Sequence, residues 1–236
     1  MRKFIKKITF APELEGAKEL CRYLKEKNII ASAGHTEATI DDIKECRKEG
    51  LNMFTHLFSA MSTITRKDGY RILGAIESAY YFDDMYTEVI ADGCHLPPEL
   101  LKIIYKIKGA DRICLITDAM RGADMPEGPS VLGSLKNDFK CFIEDGIAKM
   151  PDKSCFAGSV ATCDRLVRVM TKQVGIPLEE AVKMMTKTPA LSHGIENKGQ
   201  IKEGYDADLV FFDEDINIRK VIIKKNNEIK ITGDNL

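Results

Sequence analysis

What this sequence lacks narrows its class. Its 236 residues carry a net charge of only −1, so no strong attraction to nucleic acid or to an anionic membrane is expected. Any anionic ligand must then be gripped by local groups. No uninterrupted apolar run approaches the ~20 residues of a membrane span. The opening MRKFIKKITF has a basic head, but its apolar part is too short and too interrupted for a secretory signal. The seven cysteines form no C-x-x-C pair, and their odd number leaves one thiol over. That argues against a disulfide framework and predicts reduced thiols in a soluble, cytoplasmic protein. No internal repeat or low-complexity segment is evident.

What is present suits one barrel-type domain, or one and a half. A 44% hydrophobic content can fill a sizeable core, and 30% charged residues can coat it. KKITFA (6–11) reads as a strand, after which Pro12 and Glu13 open a helix with apolar positions at Leu14, Ala17, Leu20, Cys21 and Leu24. Asn28 ends that helix and IIASAG (29–34) is the next strand. Thr39 and Asp42 form a capping box for a helix over 40–49, stopped by Gly50. NMFTH (52–56) is a strand, followed by a loop with Lys, Asp and Gly and a helix near 73–81. TEVIAD (87–92), a helix over 98–107 begun by Pro97 and Pro98, and RICLIT (112–117) complete five strand units. Strand–helix alternation with short loops predicts an α/β fold, a parallel sheet wrapped by helices.

The rhythm then changes. Residues 119–138 read as a long Gly- and Pro-containing connection, residues 140–150 as a hairpin about Asp145-Gly146. Helices are predicted near 160–174 and 178–187, the second with Pro177 near its first turn. Residues 199–231 are strand-rich. The expected division is a partial barrel over 1–198 and strands of a small β-sandwich over 199–236.

Four polar residues stand at the ends of apolar runs: His35, His56, His95 and Asp118. In a parallel barrel, catalytic groups occupy the carboxyl ends of successive strands. Neutral imidazole ligates zinc or iron, so His35 and His56 are candidate metal ligands. Asp118, closing an apolar strand, calls for a partner such as an activated water. Plainer readings stay open for each: loop histidines bonded to backbone, a turn aspartate after a strand, a turn histidine before two prolines.

Five segments in order, SAGHTEAT, THLFSAM, IADGCHLPPELL, LITDAM and GQIKEGYDADLVFF, resemble the motifs of the N-acetylglucosamine-6-phosphate deacetylases, within the amidohydrolase superfamily. The resemblance runs from about residue 8 to residue 213. It implies a (β/α)8 TIM barrel with a β-sandwich, of which this chain holds about the last five barrel strands and the carboxyl-terminal sandwich strands. It implies one divalent metal on His35 and His56, zinc or iron. Asp118 becomes the general base and then the acid, and His95 the group that polarises the acetamide carbonyl. Ser59 and Ala60 match substrate-contacting positions, with Ser59 in place of the usual Asn. Gly158 and Ser159 match a loop near the sugar, and also fit an N-cap. The implied partner is a small-molecule amino-sugar phosphate bound by a homodimer. Its phosphate falls to Arg66, Lys67 or Arg71, in a run that departs from the family pattern H-R-E-P-G; a solvated charge cluster is the other reading. His193 reads as structural.

The implied third ligand is a glutamate in an H-L-E-G-P run, which this chain lacks; an H-x-H is lacking as well. Glu15 sits in a superficially similar Leu14-Glu15-Gly16, but its context matches a different motif, and it is rejected. The expectation is a metal site incomplete within this chain, the remainder lying before Met1.

Overall fold

The computed structural model describes residues 4–134, 139–225 and 228–233. It divides into two compact units, residues 1–89 with 105–114, and residues 90–104 with 115–236. Among the described residues no helix is long and apolar enough to cross a membrane.

The first unit is built on strands β1 (Lys7–Phe10), β2 (Ile30–Ala33), β3 (Leu51–Phe54), a short pair β4 (Thr65–Lys67) and β5 (Tyr70–Ile72), and then β6 (Tyr86–Ile90) and β7 (Ile113–Ile116). Its helices are α1 (Ala17–Glu26), α2 (Ile40–Lys48), α3 (Ala75–Tyr81) and α4 (Pro98–Lys108). β6, α4 and β7 contribute residues to both units. The main sheet runs β1-β2-β3-β6-β7, in chain order. The pairs β1–β2, β2–β3 and β3–β6 are parallel, with Phe10, Ala33, Phe54 and Thr87 in register. Ala31, Ser32 and Ala33 are all buried, as expected of a strand covered on both faces.

The ion pair between Lys7 on β1 and Glu88 on β6 reports the shape of this sheet. In a flat sheet those strands would stand three spacings apart, about 14 Å. Side chains leave a sheet roughly perpendicular to it, so the two meet only because the sheet curls toward their shared face.

Local chemistry sets the helices. α1 buries Ala17, Cys21 and Leu24, one stripe of a helix. It does not begin at Pro12, contrary to the expectation from sequence. Residues 11–16 form turns, Gly16 is left-handed at φ +82°, and Leu14 is 63% exposed. Asn28, at φ +53°, closes the helix. For α2 the capping box is complete: Thr39 accepts from the Asp42 amide and the Asp42 carboxylate accepts from the Thr39 amide. The loop expected after β3 contains the β4–β5 hairpin, whose Asp68-Gly69 turn has both φ angles positive.

In the second unit, β8 (Gly128–Leu132), β9 (Phe139–Glu144) and β10 (Ile147–Lys149) form an antiparallel sheet in the order β10-β9-β8. The expected hairpin at Asp145-Gly146 is present, with positive φ at both residues. β8 corrects the reading of 119–138 as connection only; residues 135–138 lie outside the described residues. Cys141, Ile143, Ala148 and Ala157 form a small core, with Met120, Leu132, Met150 and Val160 packed against it. α5 (Cys163–Arg168) passes into a π-helical turn at Val169–Gln173. The helix expected over 178–187 breaks at Thr186 into α6 (Leu178–Met185) and α7 (Lys187–Ser192). β11 (Leu209–Phe212), β12 (Ile218–Lys225) and β13 (Glu228–Gly233) form a second antiparallel sheet.

Candidate active site

In the first unit, His35 follows β2 and His56 follows β3. Their rings meet edge to face with centroids 4.7 Å apart. Both residues are left-handed, at φ +47° and +32°, a conformation that residues with a Cβ adopt only when their surroundings impose it. Gly34 supplies part of that imposition. A Cβ there would lie 2.8 Å from Thr9 Cγ2 and 2.9 Å from Thr55 Cβ, so only glycine lets the strand end turn beside these side chains. His56 is buried and His35 exposed.

Hydrogen bonds tie the two histidine loops together. The Thr36 amide donates to the Ala60 carbonyl (3.0 Å) and the Ser62 amide to the Thr36 carbonyl (2.9 Å). Glu13 accepts from the Thr36 hydroxyl and from the Glu37 amide (2.7 Å), which fixes the two residues after His35. The Leu57 amide donates to the Glu88 carbonyl (2.9 Å), anchoring the residue after His56. Ser59 and Ala60 occupy the tight turn beyond His56, with Phe58 at φ +78° and Ala60 at +48°. Arg66, Lys67 and Arg71 lie exposed on the β4–β5 hairpin, and Arg66 and Arg71 are directly opposite across it. Glu15 is exposed in the turn before α1.

The pair of rings can be tested as a metal site. Imidazole nitrogens ~2.1 Å from one shared ion place the ring centroids roughly 4.5–5.2 Å apart for bond angles near 90–110°. The observed separation fits that range. Among the described residues, however, no group of three or more His, Cys, Asp or Glu could hold an ion. The two histidines fit a metal; among the described residues a third donor is not with them.

In the second unit, His95 lies between β6 and α4. Its Nδ1 is 2.7 Å from Asp92 Oδ2, and its ring packs edge to face on Phe156 at 5.1 Å. Asp118 follows β7, exposed and left-handed at φ +48°. Its carbonyl accepts from the Ser159 amide (3.3 Å), and the Met120 amide donates to the Ser159 carbonyl (2.9 Å). Asp118, Gly158 and Ser159 are thereby neighbours. Gly158 is itself left-handed, at φ +90°. Ser159 is buried and its hydroxyl accepts from the Ala161 amide, while the N-cap of α5 is Thr162; the N-cap reading of Gly158-Ser159 is therefore corrected. His193 ends α7, its Nδ1 2.9 Å from the Pro189 carbonyl.

Three residues escaped sequence reasoning. Glu13 reads in the sequence as a helix opener, and its partners in the fold lie more than twenty residues away. Asp92 stood in plain view three residues before His95, a spacing that lets a carboxylate cap the amides of the turn that follows. Arg165 left no signal at all, because its acceptors are distant backbone carbonyls.

A model of the amidohydrolase family matches residues 7–232 of the chain. Among curated relatives, the N-acetylglucosamine-6-phosphate deacetylase of Lysinibacillus sphaericus is 35% identical over 231 residues, 98% of this chain and 57% of the relative. That of Bacillus subtilis (strain 168) is 31% identical, covering 94% of this chain and 54% of its own length. A crystal structure of N-acetylglucosamine-6-phosphate deacetylase from Pasteurella multocida superposes with a TM-score of 0.86 at 30% identity, over 97% of this chain and 57% of that one. The chain thus spans little more than half the length of the curated relatives it matches.

Proposed function

Because the chain belongs to the amidohydrolase family, we propose that it carries the carboxyl-terminal part of a metal-dependent deacetylase. Its substrate is N-acetylglucosamine 6-phosphate, released as acetate and glucosamine 6-phosphate. The observation that carries this reading is the His35–His56 pair, two strand-end rings at a separation suited to one ion. When bound, a zinc or iron ion supplies Lewis acidity to the acetamide carbonyl and to water.

The remaining work falls to side chains. Asp118 removes the proton from the attacking water and returns it to the departing amine. His95 donates to the acetamide oxygen as negative charge develops there. Ser59, Ala60, Gly158 and Ser159 contact the sugar. Arg66, Lys67 and Arg71 are the candidates for the phosphate. Their hairpin supports that assignment, since like charges directly across a strand pair repel unless an anion lies between them. In the intact enzyme this hairpin serves a neighbouring subunit of a homodimer. The same reading makes residues 1–198 part of a (β/α)8 barrel, supported by the curled parallel sheet, and residues 199–236 part of a β-sandwich. Seven free thiols support a cytoplasmic setting.

A second reading, a catalytically silent piece of such an enzyme, is favoured by the lack of a third donor beside the histidines among the described residues. Two measurements on the purified chain separate them: metal content, and acetate release from N-acetylglucosamine 6-phosphate and N-acetylgalactosamine 6-phosphate. One tightly held ion per chain, lost in His35→Ala and in His56→Ala, together with turnover, supports the first. A chain that binds no zinc or iron and releases no acetate, even with added peptide carrying the glutamate strand, supports the second.

A further inference from the structure

The loop that presents His95 is built around a carboxylate to which the reaction scheme assigns no role. Asp92 has no solvent-exposed side-chain surface. Its Oδ1 accepts from the amides of Cys94 (2.9 Å) and His95 (2.8 Å), and its Oδ2 lies 2.7 Å from His95 Nδ1. Burial alone pushes this carboxyl upward, but the bonds from the His95 ring and from both amides hold it below its ordinary value. The loop is anchored in turn by Arg165. Its Nε donates to the Asp92 carbonyl (3.0 Å), its Nη1 to the Gly146 carbonyl (2.7 Å), and its Nη2 lies 3.2 Å from Cys94 Sγ. Gly93, at φ +78°, lets the chain reverse between Asp92 and the amides that donate to it.

From this geometry we propose that Asp92 is the positioning residue of His95, fixing the ring proton on Nδ1 so that Nε2 is the atom turned to the substrate carbonyl. The inference rests on the reading that His95 faces substrate. An ionised carboxylate can only accept, so the Nδ1 beside it must carry the hydrogen. Donation from Nε2 to the substrate oxygen then uses a second proton, taken up from solvent, while Asp92 keeps the first on Nδ1. Phe156, against the ring at 5.1 Å, restricts its rotation. The charged groups about the loop are Asp92 itself, Arg165, and Lys149, which acts on Cys94 from β10.

A purely structural Asx turn would need Oδ1 alone, and this separates the two roles. Asp92→Asn keeps an oxygen for the Cys94 and His95 amides but sets an NH2 group against Nδ1. The experiment reads the tautomer of His95 by long-range 1H–15N NMR on the full chain, with the signal assigned by its loss in His95→Gln. In the unmodified protein, the neutral ring should carry its hydrogen on Nδ1, with Nε2 in the unprotonated shift range. In Asp92→Asn the hydrogen should move to Nε2 while amide shifts away from residues 90–97 stay in place. An unmodified protein with the hydrogen on Nε2, or an Asp92→Asn ring unchanged in tautomer, overturns the proposal. Should Asp92→Asn not fold, the unmodified tautomer still decides. Turnover is not needed, so an inactive chain would count against the proposed function and leave this result standing.

Discussion

Left-handed backbone costs residues with a Cβ about 1–2 kcal/mol each, and His35, His56 and Asp118 all adopt it at the ends of their strands. Each of these strand ends keeps a strained conformation that persists only where the local surroundings impose it. Buried charge acts elsewhere as plain structure. Lys108, at the end of α4, donates to the carbonyls of Ala79 (2.9 Å) and Phe82 (2.8 Å), at the carboxyl end of α3. Burial pushes its ammonium down to about 8, against ~10.4 in an unfolded chain. Between those values the unfolded chain holds a proton that the folded one lacks, so stability rises with pH across that window. Below it the folded state carries the full penalty of burying the charge. The rise is on the order of 3 kcal/mol at most. Lys108→Met should remove it. Urea unfolding at about pH 8 and about pH 10 checks this: the stability difference, native minus variant, should grow with pH, and parallel behaviour would mean that the amine is not desolvated.

At the scale of elements, the Lys7–Glu88 pair ties the first strand of the sheet to the fourth. Glu88 is almost fully buried, Lys7 about a quarter exposed, and Glu88 Oε2 has no hydrogen-bond partner among the described residues. Removing the cation alone strands a buried carboxylate, at a cost of about 3 kcal/mol. Lys7→Met should therefore destabilise markedly, and Lys7→Met with Glu88→Leu should recover most of the loss; a double variant no better than the single would refute the coupling. No pattern in KITF or YTEVI announces this contact, because it depends on sheet curvature. Features whose partners lie within four residues were legible: the Thr39–Asp42 box, the Asp145-Gly146 turn, the stop at Asn28. The β4–β5 hairpin carried its Asp68-Gly69 signal, but strands of three mostly polar residues show no alternation to support it. β8 opens with Gly-Pro and gains its identity only by pairing with β9. In the site, the strand-end residues themselves were legible from type and position. Their left-handed backbones, the Glu13 clamp and the Asp92 carboxylate were not, since each exists only once distant segments are brought together.

At the scale of the molecule, the sheets leave apolar surface and strand edges uncovered among the described residues. β1 ends the main sheet and pairs only with β2 among the described residues. Beside it lies a hollow of about 370 Å³ lined by Ile5, Ile8, Leu20, Tyr23, Leu24, Lys27 and Ile29. In the other unit, the β11–β12–β13 sheet exposes Val210 and Ile223 on one face and Ile231 on the other. Unpaired edges and apolar patches of this kind are templates for association. The isolated chain should therefore self-associate, with a sedimentation coefficient that climbs with concentration. Charged residues at such edges oppose pairing in natural sheets, so Ile231→Lys and Ile5→Lys test the two surfaces separately. Both positions are already exposed, so neither change should cost more than about 0.5 kcal/mol of stability. Each should shift the association to higher concentration, and the pair together further still, because the surfaces belong to different units and their effects should add. A chain that sediments as a monomer at every concentration and unfolds in one cooperative step would show instead that these edges are protected as they stand.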